Sequence, residues 1–213
     1  MGGGAASLPQ LLDWLSRFNA LILENRDYLT ELDSAIGDAD HGVNMTRGMT
    51  AVMEKIGAAP PEAVDALFKS VGMTLVSTVG GASGPLYGTF FLRIGTTAGP
   101  VAELDGDALA AALRAGLDGV VARGKAEAND KTMVDAMAPA LDAFDAAVAG
   151  GSSISDAAAA AFTAAETGRD ATIPLVARKG RASYLGERSA GHLDPGATST
   201  ALLFQSLAGA LVA

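Results

Sequence analysis

The chain has 213 residues, enough to bury one substantial core, and nothing in its composition asks for a second. Hydrophobic residues make up 49%, yet no window supplies the roughly 18 uncharged apolar residues of a membrane span. A net charge of −9 argues against a nucleic-acid partner, and the absence of cysteine excludes disulfides, thiolate nucleophiles and cysteine-ligated zinc.

The opening Met1–Ser7 has neither the basic start nor the apolar stretch of a signal peptide, and Ala6 breaks the myristoylation pattern. The expectation is a cytoplasmic protein with one domain over 1–213. Leu8, Leu11, Leu12, Leu15, Phe18, Ile22, Leu29 and Leu32 recur at helical spacing and predict a first helix ending near Gly37. A second spans about 43–56 and is closed by Gly57 and Pro60. The third starts at Pro61; its segment 72–79 is rich in β-branched residues, but the helical period of its neighbours continues through it. Pro85 opens the fourth as a first-turn residue. The fifth starts near Asp107 as N-cap, the sixth after Thr132 and the alanine-rich seventh after Ser155, ending at Ile173-Pro174. The eighth follows Asp194-Pro195-Gly196. The reading is all-α, with eight helices and no strand.

Short connections pack consecutive helices antiparallel, as in an up-and-down bundle, so successive loops alternate between its two ends. One end then holds loops 57–60, 95–106 and 149–154, which are chemically bland. The other holds loops 33–42, 80–85, 123–132 and 178–196, and with them nearly every reactive side chain of the sequence. Seven of the 15 Lys and Arg also fall there: Arg123, Lys125, Lys131, Arg178, Lys179, Arg181 and Arg188.

The sharpest local pattern is Asp33, Asp38 and Asp40, three carboxylates within eight residues at a helix end. On a continuous helix a five-residue step turns by about 140°, so the three would diverge. Gly37 lets the chain leave the helix and brings Asp38 and Asp40 back towards Asp33. Like charges held that close call for a cation, and hard oxygen ligands suit Mg²⁺. The competing reading is an acidic helix-capping turn. An EF-hand is excluded, because Val43 and Met49 stand where that loop needs Gly and Glu. Gly80-Gly81-Ala82-Ser83-Gly84-Pro85 leads into a helix start, as phosphate-binding turns do, although a tight helix connection reads the same way. It lacks the Gly-Lys-Ser/Thr of a Walker A loop and the final Gly of a serine elbow. The stretch 123–132 reads as a charged loop capped by Thr132. The loop over 178–196 is long for a compact domain, which suggests a lid, and arginine there can neutralise a phosphoryl group; a solvated loop is the alternative. His41 and His192 are the two histidines, and the only candidates for a protein nucleophile.

Together these segments resemble the nucleotide-binding L subunit of dihydroxyacetone kinases. The resemblance is carried by 37–42 with Asn44 and Met45, by 81–88, by 123–126 with 130–133, and by 178–189 with 191–192 and 194–196. They run in family order and span essentially the whole chain. The resemblance implies an eight-helix antiparallel barrel with the nucleotide at one end. It implies that Asp33, Asp38 and Asp40 hold two Mg²⁺ ions against the phosphates of ADP or ATP. His41, Asn44 and Ser83, with Ala82 beside it, correspond to phosphate and ribose contacts; Gly124, Met133, Arg181, Asp194 and Gly196 correspond to the adenine pocket and its covering loop. Arg181 is the candidate for stabilising phosphoryl charge. The implied partners are a separate K subunit that holds dihydroxyacetone covalently and a phosphohistidine donor protein of the phosphotransferase system, with a homodimer as a further possibility. The chain alone is expected to be inactive. A kinase subunit that uses ATP on another short ketose, a non-catalytic nucleotide-binding module, and a lipid-related kinase domain with an apolar barrel stand as alternatives.

Overall fold

In the computed structural model, which describes residues 4–212, helix follows helix as the apolar spacing predicts. The order is α1 (Leu8–Glu24), α2 (Arg26–Ile36), α3 (His41–Ala58), α4 (Val64–Thr78), α5 (Ser83–Ala98), α6 (Gly106–Gly124), α7 (Val134–Ala149), α8 (Ile154–Ala171) and α9 (Pro195–Ala210). The segment 72–79 is helical up to Thr78, because Leu75 on the α4 stripe is buried in the same core as Leu67, Phe68 and Val71.

Three expectations change. The first predicted helix is two, so the described residues hold nine α-helices. The break falls at Asn25 (φ −97°, ψ 12°), whose side-chain amide donates to the Leu21 carbonyl at 2.9 Å and so competes with the helix ladder. Ile22 and Leu29 are buried on both sides of it, which is why the apolar stripe runs through unbroken. There is also a minimal antiparallel pair, β1 (Ala6–Ser7) with β2 (Glu103–Leu104), in register Ala6–Leu104. Two residues per strand leave no alternation to read. Cap positions also shift: Asp105, not Asp107, accepts from the Ala108 amide at 2.9 Å, and Ser153 caps α8.

Neighbours in sequence pack side by side from α2 to α9, and α9 lies against α1, which closes the ring. Trp14 of α1, Phe68 of α4 and Phe90 and Phe91 of α5 meet in the interior with ring centroids 5.2–5.9 Å apart. The Trp14 indole N–H donates to the Leu203 carbonyl of α9 at 2.9 Å, so the barrel closure buries no orphan donor. Truncating one of these rings to alanine costs about 3–5 kcal/mol. The core therefore holds the helix ends in fixed positions, and the four loops with reactive side chains converge at one of them. Between α8 and α9 the long loop is partly ordered as a run of 3-10 turns over Arg181–Ser189, interrupted at Gly186 (φ 56°). No helix of the described residues is long and apolar enough to cross a membrane.

Candidate nucleotide and metal site

α2 ends at Ile36, and Gly37 turns the chain directly over the Asp33 side chain. A Cβ at Gly37 would stand 2.1 Å from Asp33 Oδ1, so no larger residue passes there without moving the carboxylate. Ala39 takes a left-handed conformation (φ 61°) and folds the segment back. Asp33 is buried, and its Oδ2 accepts the backbone amides of Asp40 (2.8 Å) and His41 (3.1 Å). One carboxylate oxygen from each of Asp33, Asp38 and Asp40 lies within 4.8 Å of the others. Their nearest cation is Arg181, whose Nε donates to Asp38 Oδ2 at 2.8 Å from the covering loop. An all-oxygen cluster graded from buried Asp33 to exposed Asp38 fits Mg²⁺, which keeps water and takes phosphate oxygens as further ligands. The side chains thus come together as the sequence predicts.

Beside this cluster lies a polar relay that the sequence did not disclose. His41 is buried, with Nδ1 3.1 Å from Ser83 Oγ and Nε2 2.9 Å from Ser199 Oγ. Tyr87 Oη is bonded in turn to Ser199 Oγ (2.7 Å) and Thr200 Oγ1 (3.0 Å). Burial pushes the imidazole down to about 4, against the pull of Asp33 and Asp40, so His41 is neutral at pH 7 and can carry a proton on either nitrogen. Burial also drives the Tyr87 phenol up to about 12. The relay fixes Ser83 at the first residue of α5. Ahead of it, Gly81 (φ 66°) supplies the left-handed turn. The first amide of α3 is taken by Asp33, whereas the N-cap residue of α5, Ala82, offers no side-chain acceptor to the first amides of that helix at this end.

These elements open on a pocket of about 390 Å³. Its polar wall is Asp33, Asp38, Asp40, His41 and the Gly80–Ser83 turn; its apolar wall is Ile36, Leu86, Val120, Met133 and Val134. Gly124 lies at the end of α6, Asp194, Pro195 and Gly196 at the start of α9, and Arg181 comes from the covering loop. Of the residues singled out by sequence, Ala82, Ser83, Gly124, Met133, Arg181, Asp194 and Gly196 all line it. Asn44 does not. It is buried behind the turn, where a Cβ at Gly80 would stand 2.9 Å from its Oδ1, and that oxygen accepts from Arg47 at 2.7 Å. Asn44 shapes the glycine turn from underneath. His192 is also absent from the wall; it is exposed, in a separate groove beside Tyr28 and Leu32.

Asp194 caps α9, accepting from the Ala197 amide at 2.7 Å. Burial raises its carboxyl to about 7, although the Ala197 amide and Lys131 pull the other way. Thr132, expected as the cap of α7, precedes the helix by two residues, and its Oγ1 accepts the Val134 amide at 3.2 Å; the Asp135 carboxylate accepts the Asn129 and Thr132 amides (2.5 and 2.8 Å).

The DAK2 domain model matches residues 35–209. The chain is 46% identical over 202 residues to the ADP-binding subunit DhaL of the PEP-dependent dihydroxyacetone kinase of Escherichia coli, covering 95% of this chain and 96% of that one. It is 44% identical to the ADP-binding subunit DhaL of the PTS-dependent dihydroxyacetone kinase of Lactococcus lactis, covering 94% and 96%. The crystal structure of the dihydroxyacetone kinase of C. freundii in complex with AMP-PNP and Mg2+ superposes with a TM-score of 0.71 at 28% identity, over 92% of this chain and 33% of that one.

Proposed function

The chain belongs to the DAK2 domain family, and from that premise we propose that it is the ADP-binding subunit of a dihydroxyacetone kinase. In this reading ADP stays in the pocket, takes a phosphoryl group from a phosphohistidine protein of the phosphotransferase system, and passes it to dihydroxyacetone held on a separate K subunit. The observation that carries it is the convergence of the three aspartates, the Gly80–Ser83 turn and an apolar slot on one pocket. Near-complete coverage in both directions against the bacterial ADP-binding subunits supports a donor protein over a conventional ATP substrate.

Asp33, Asp38 and Asp40 would hold magnesium, two ions in the family-based reading, and the bound ion supplies charge neutralisation for phosphate oxygens. The chain's own residues do the rest. Asp33 is oriented by the two amides that bond its Oδ2, so its charge points into the pocket at no further cost in side-chain freedom. Ser83 and the amides of the Gly80–Ser83 turn bind phosphate oxygens, and neutral His41 holds the Ser83 hydroxyl in place. Ile36, Leu86, Val120 and Met133 would take the adenine ring. Arg181 lies at the cluster, where its guanidinium can neutralise charge on a transferring phosphoryl group once it leaves Asp38. Phosphoryl transfer asks a protein mainly to position and neutralise, and the site is built for both.

The AMP-PNP in the related crystal structure favours a second reading, in which ATP exchanges as an ordinary substrate. Reconstitution separates the two. Mixed with a K subunit and dihydroxyacetone, the protein should make dihydroxyacetone phosphate with a phosphorylated donor protein and not with ATP alone. Turnover with ATP alone would establish the second reading, and no turnover with either would defeat both.

A further inference from the structure

Among the residues that line the pocket, the least expected group is a buried lysine. Lys131 is 1% exposed, yet it sits in a loop of charged residues. Its backbone is left-handed (φ 63°), which turns the side chain inward. There Nζ donates to three carbonyls: Thr172 (2.7 Å), His192 (2.5 Å) and, at a longer 3.4 Å, Ile173. Those carbonyls belong to the two roots of the covering loop that carries Arg181. The roots are tied further by the Gly191 amide to the Ile173 carbonyl (2.7 Å) and the Asp194 amide to Thr172 Oγ1 (3.1 Å). Lys131 is therefore the central donor of a closed neck.

The parts on either side of the neck are stiff. On one side, Asp130 accepts the Glu127 amide at 2.8 Å, and Asp135 holds the Asn129 and Thr132 amides, so the loop bearing Lys131 is braced by its own carboxylates. On the other, Ser189 Oγ bonds the Ala177 amide and the Gly186 carbonyl, and Ala177, Ala182 and Leu185 pack together against Ile36 at the end of α2. The Arg178 amide also reaches the Asp130 carbonyl (3.0 Å). A stiff flap on a stiff base moves chiefly at the join, and the join is where the lysine stands.

We infer that Lys131 is a positioning residue that holds the covering loop shut over the nucleotide pocket, and so sets how long a bound nucleotide is retained. The inference rests on the nucleotide-binding reading of that pocket. A buried ammonium facing carbonyls is more exacting than an apolar plug: its removal takes from the His192 carbonyl its donor and from the Thr172 and Ile173 carbonyls one of two, the Leu175 and Gly191 amides remaining, so the link between the two roots is lost. Nothing in Lys131 touches the metal cluster, so its effect is expected on retention and not on the assembly of the aspartates.

The test uses the full chain with Lys131→Met, which keeps length without donors. A second variant, Lys131→Cys, is alkylated with bromoethylamine while unfolded and then refolded. Because the protein has no other cysteine, this restores one ammonium at one position. Release of fluorescently labelled ADP in the presence of Mg²⁺ should be about tenfold faster or more in Lys131→Met, with a much smaller change in the association rate. Amide exchange should quicken over 173–193 while α1 and α4 keep their protection, and the alkylated variant should recover both properties. Unchanged ADP release in a folded Lys131→Met protein overturns the inference. So does a loss of protection spread through α1 and α4 that alkylation does not restore, which would mark Lys131 as part of the general core. Should wild type bind no labelled ADP at all, the nucleotide reading fails and the retention role falls with it; the neck itself would still be judged by the exchange pattern.

Discussion

Gly37→Ala adds a single carbon at a residue that has no ligand atom to offer, yet it should damage the metal site. The new Cβ would lie 2.1 Å from Asp33 Oδ1 and 2.9 Å from its Cγ, so the carboxylate must rotate away. Rotation breaks the bonds that Asp33 Oδ2 accepts from the Asp40 and His41 amides. Two amides losing acceptors cost about 1–3 kcal/mol each when buried; with partial recovery by water at Asp40, a loss of about 2–4 kcal/mol is expected. For a domain of this size that is a fall in Tm of about 4–16 °C. Displacing the group that orients one of three ligands should also weaken Mg²⁺-dependent ADP binding by about 10–100-fold. Differential scanning fluorimetry and titration calorimetry read the two effects. Gly57→Ala is the control: a Cβ there meets nothing within 4 Å, and at this helical position it should stabilise by about 0.4–1 kcal/mol. If Gly37→Ala behaved like Gly57→Ala in both assays, the contact argument for Asp33 would be refuted.

Asp40→Asn should abolish tight Mg²⁺-nucleotide binding with helix content unchanged by circular dichroism; wild-type affinity in this variant would remove Asp40 from the site. Tyr87→Phe leaves the Ser199 and Thr200 hydroxyls without the phenol and should cost about 1–3 kcal/mol in denaturant unfolding, with phosphate-side binding weakened through Ser83. A neutral result would mean that the relay does not hold His41. The third concerns pH. Asp194 has its carboxyl raised from 3.8 to about 7, so between those values the folded state binds more protons than the unfolded state. Its contribution to stability is present at low pH and is lost as pH rises towards 7, by an amount on the order of 4 kcal/mol at most. Tm followed from pH 4.5 to 7.5 should fall less steeply in Asp194→Asn than in wild type; parallel curves would contradict the assignment.

How much of this was legible in the sequence depends on the range of the interaction. Asp33, Asp38 and Asp40 lie within one turn and its neighbours, and a glycine between them announces the fold-back. The choice of the functional end followed from helix parity, since each short loop reverses the chain. Even the wrong helix count did no harm there, because Asn25 breaks the first helix without a reversal: Leu29 stays in the core and the chain still arrives at Gly37 at the same end. What stayed hidden joins distant segments. Lys131 reads as one more charged loop residue until Thr172 and His192, 41 and 61 positions away, supply its acceptors. Tyr87 meets Ser199 across 112 positions, and no local pattern marks either as polar core. Asn44, which the resemblance assigns to phosphate and ribose contacts, stands against Gly80 outside the pocket wall, a placement that only packing decides.

The most direct test of the central claim is to purify the protein without added nucleotide, denature it, and identify what is released. The account predicts ADP with magnesium at close to one ADP per chain, retained through purification as a coenzyme is. A protein that releases nothing, and afterwards binds neither ADP nor ATP in the presence of Mg²⁺, would contradict it.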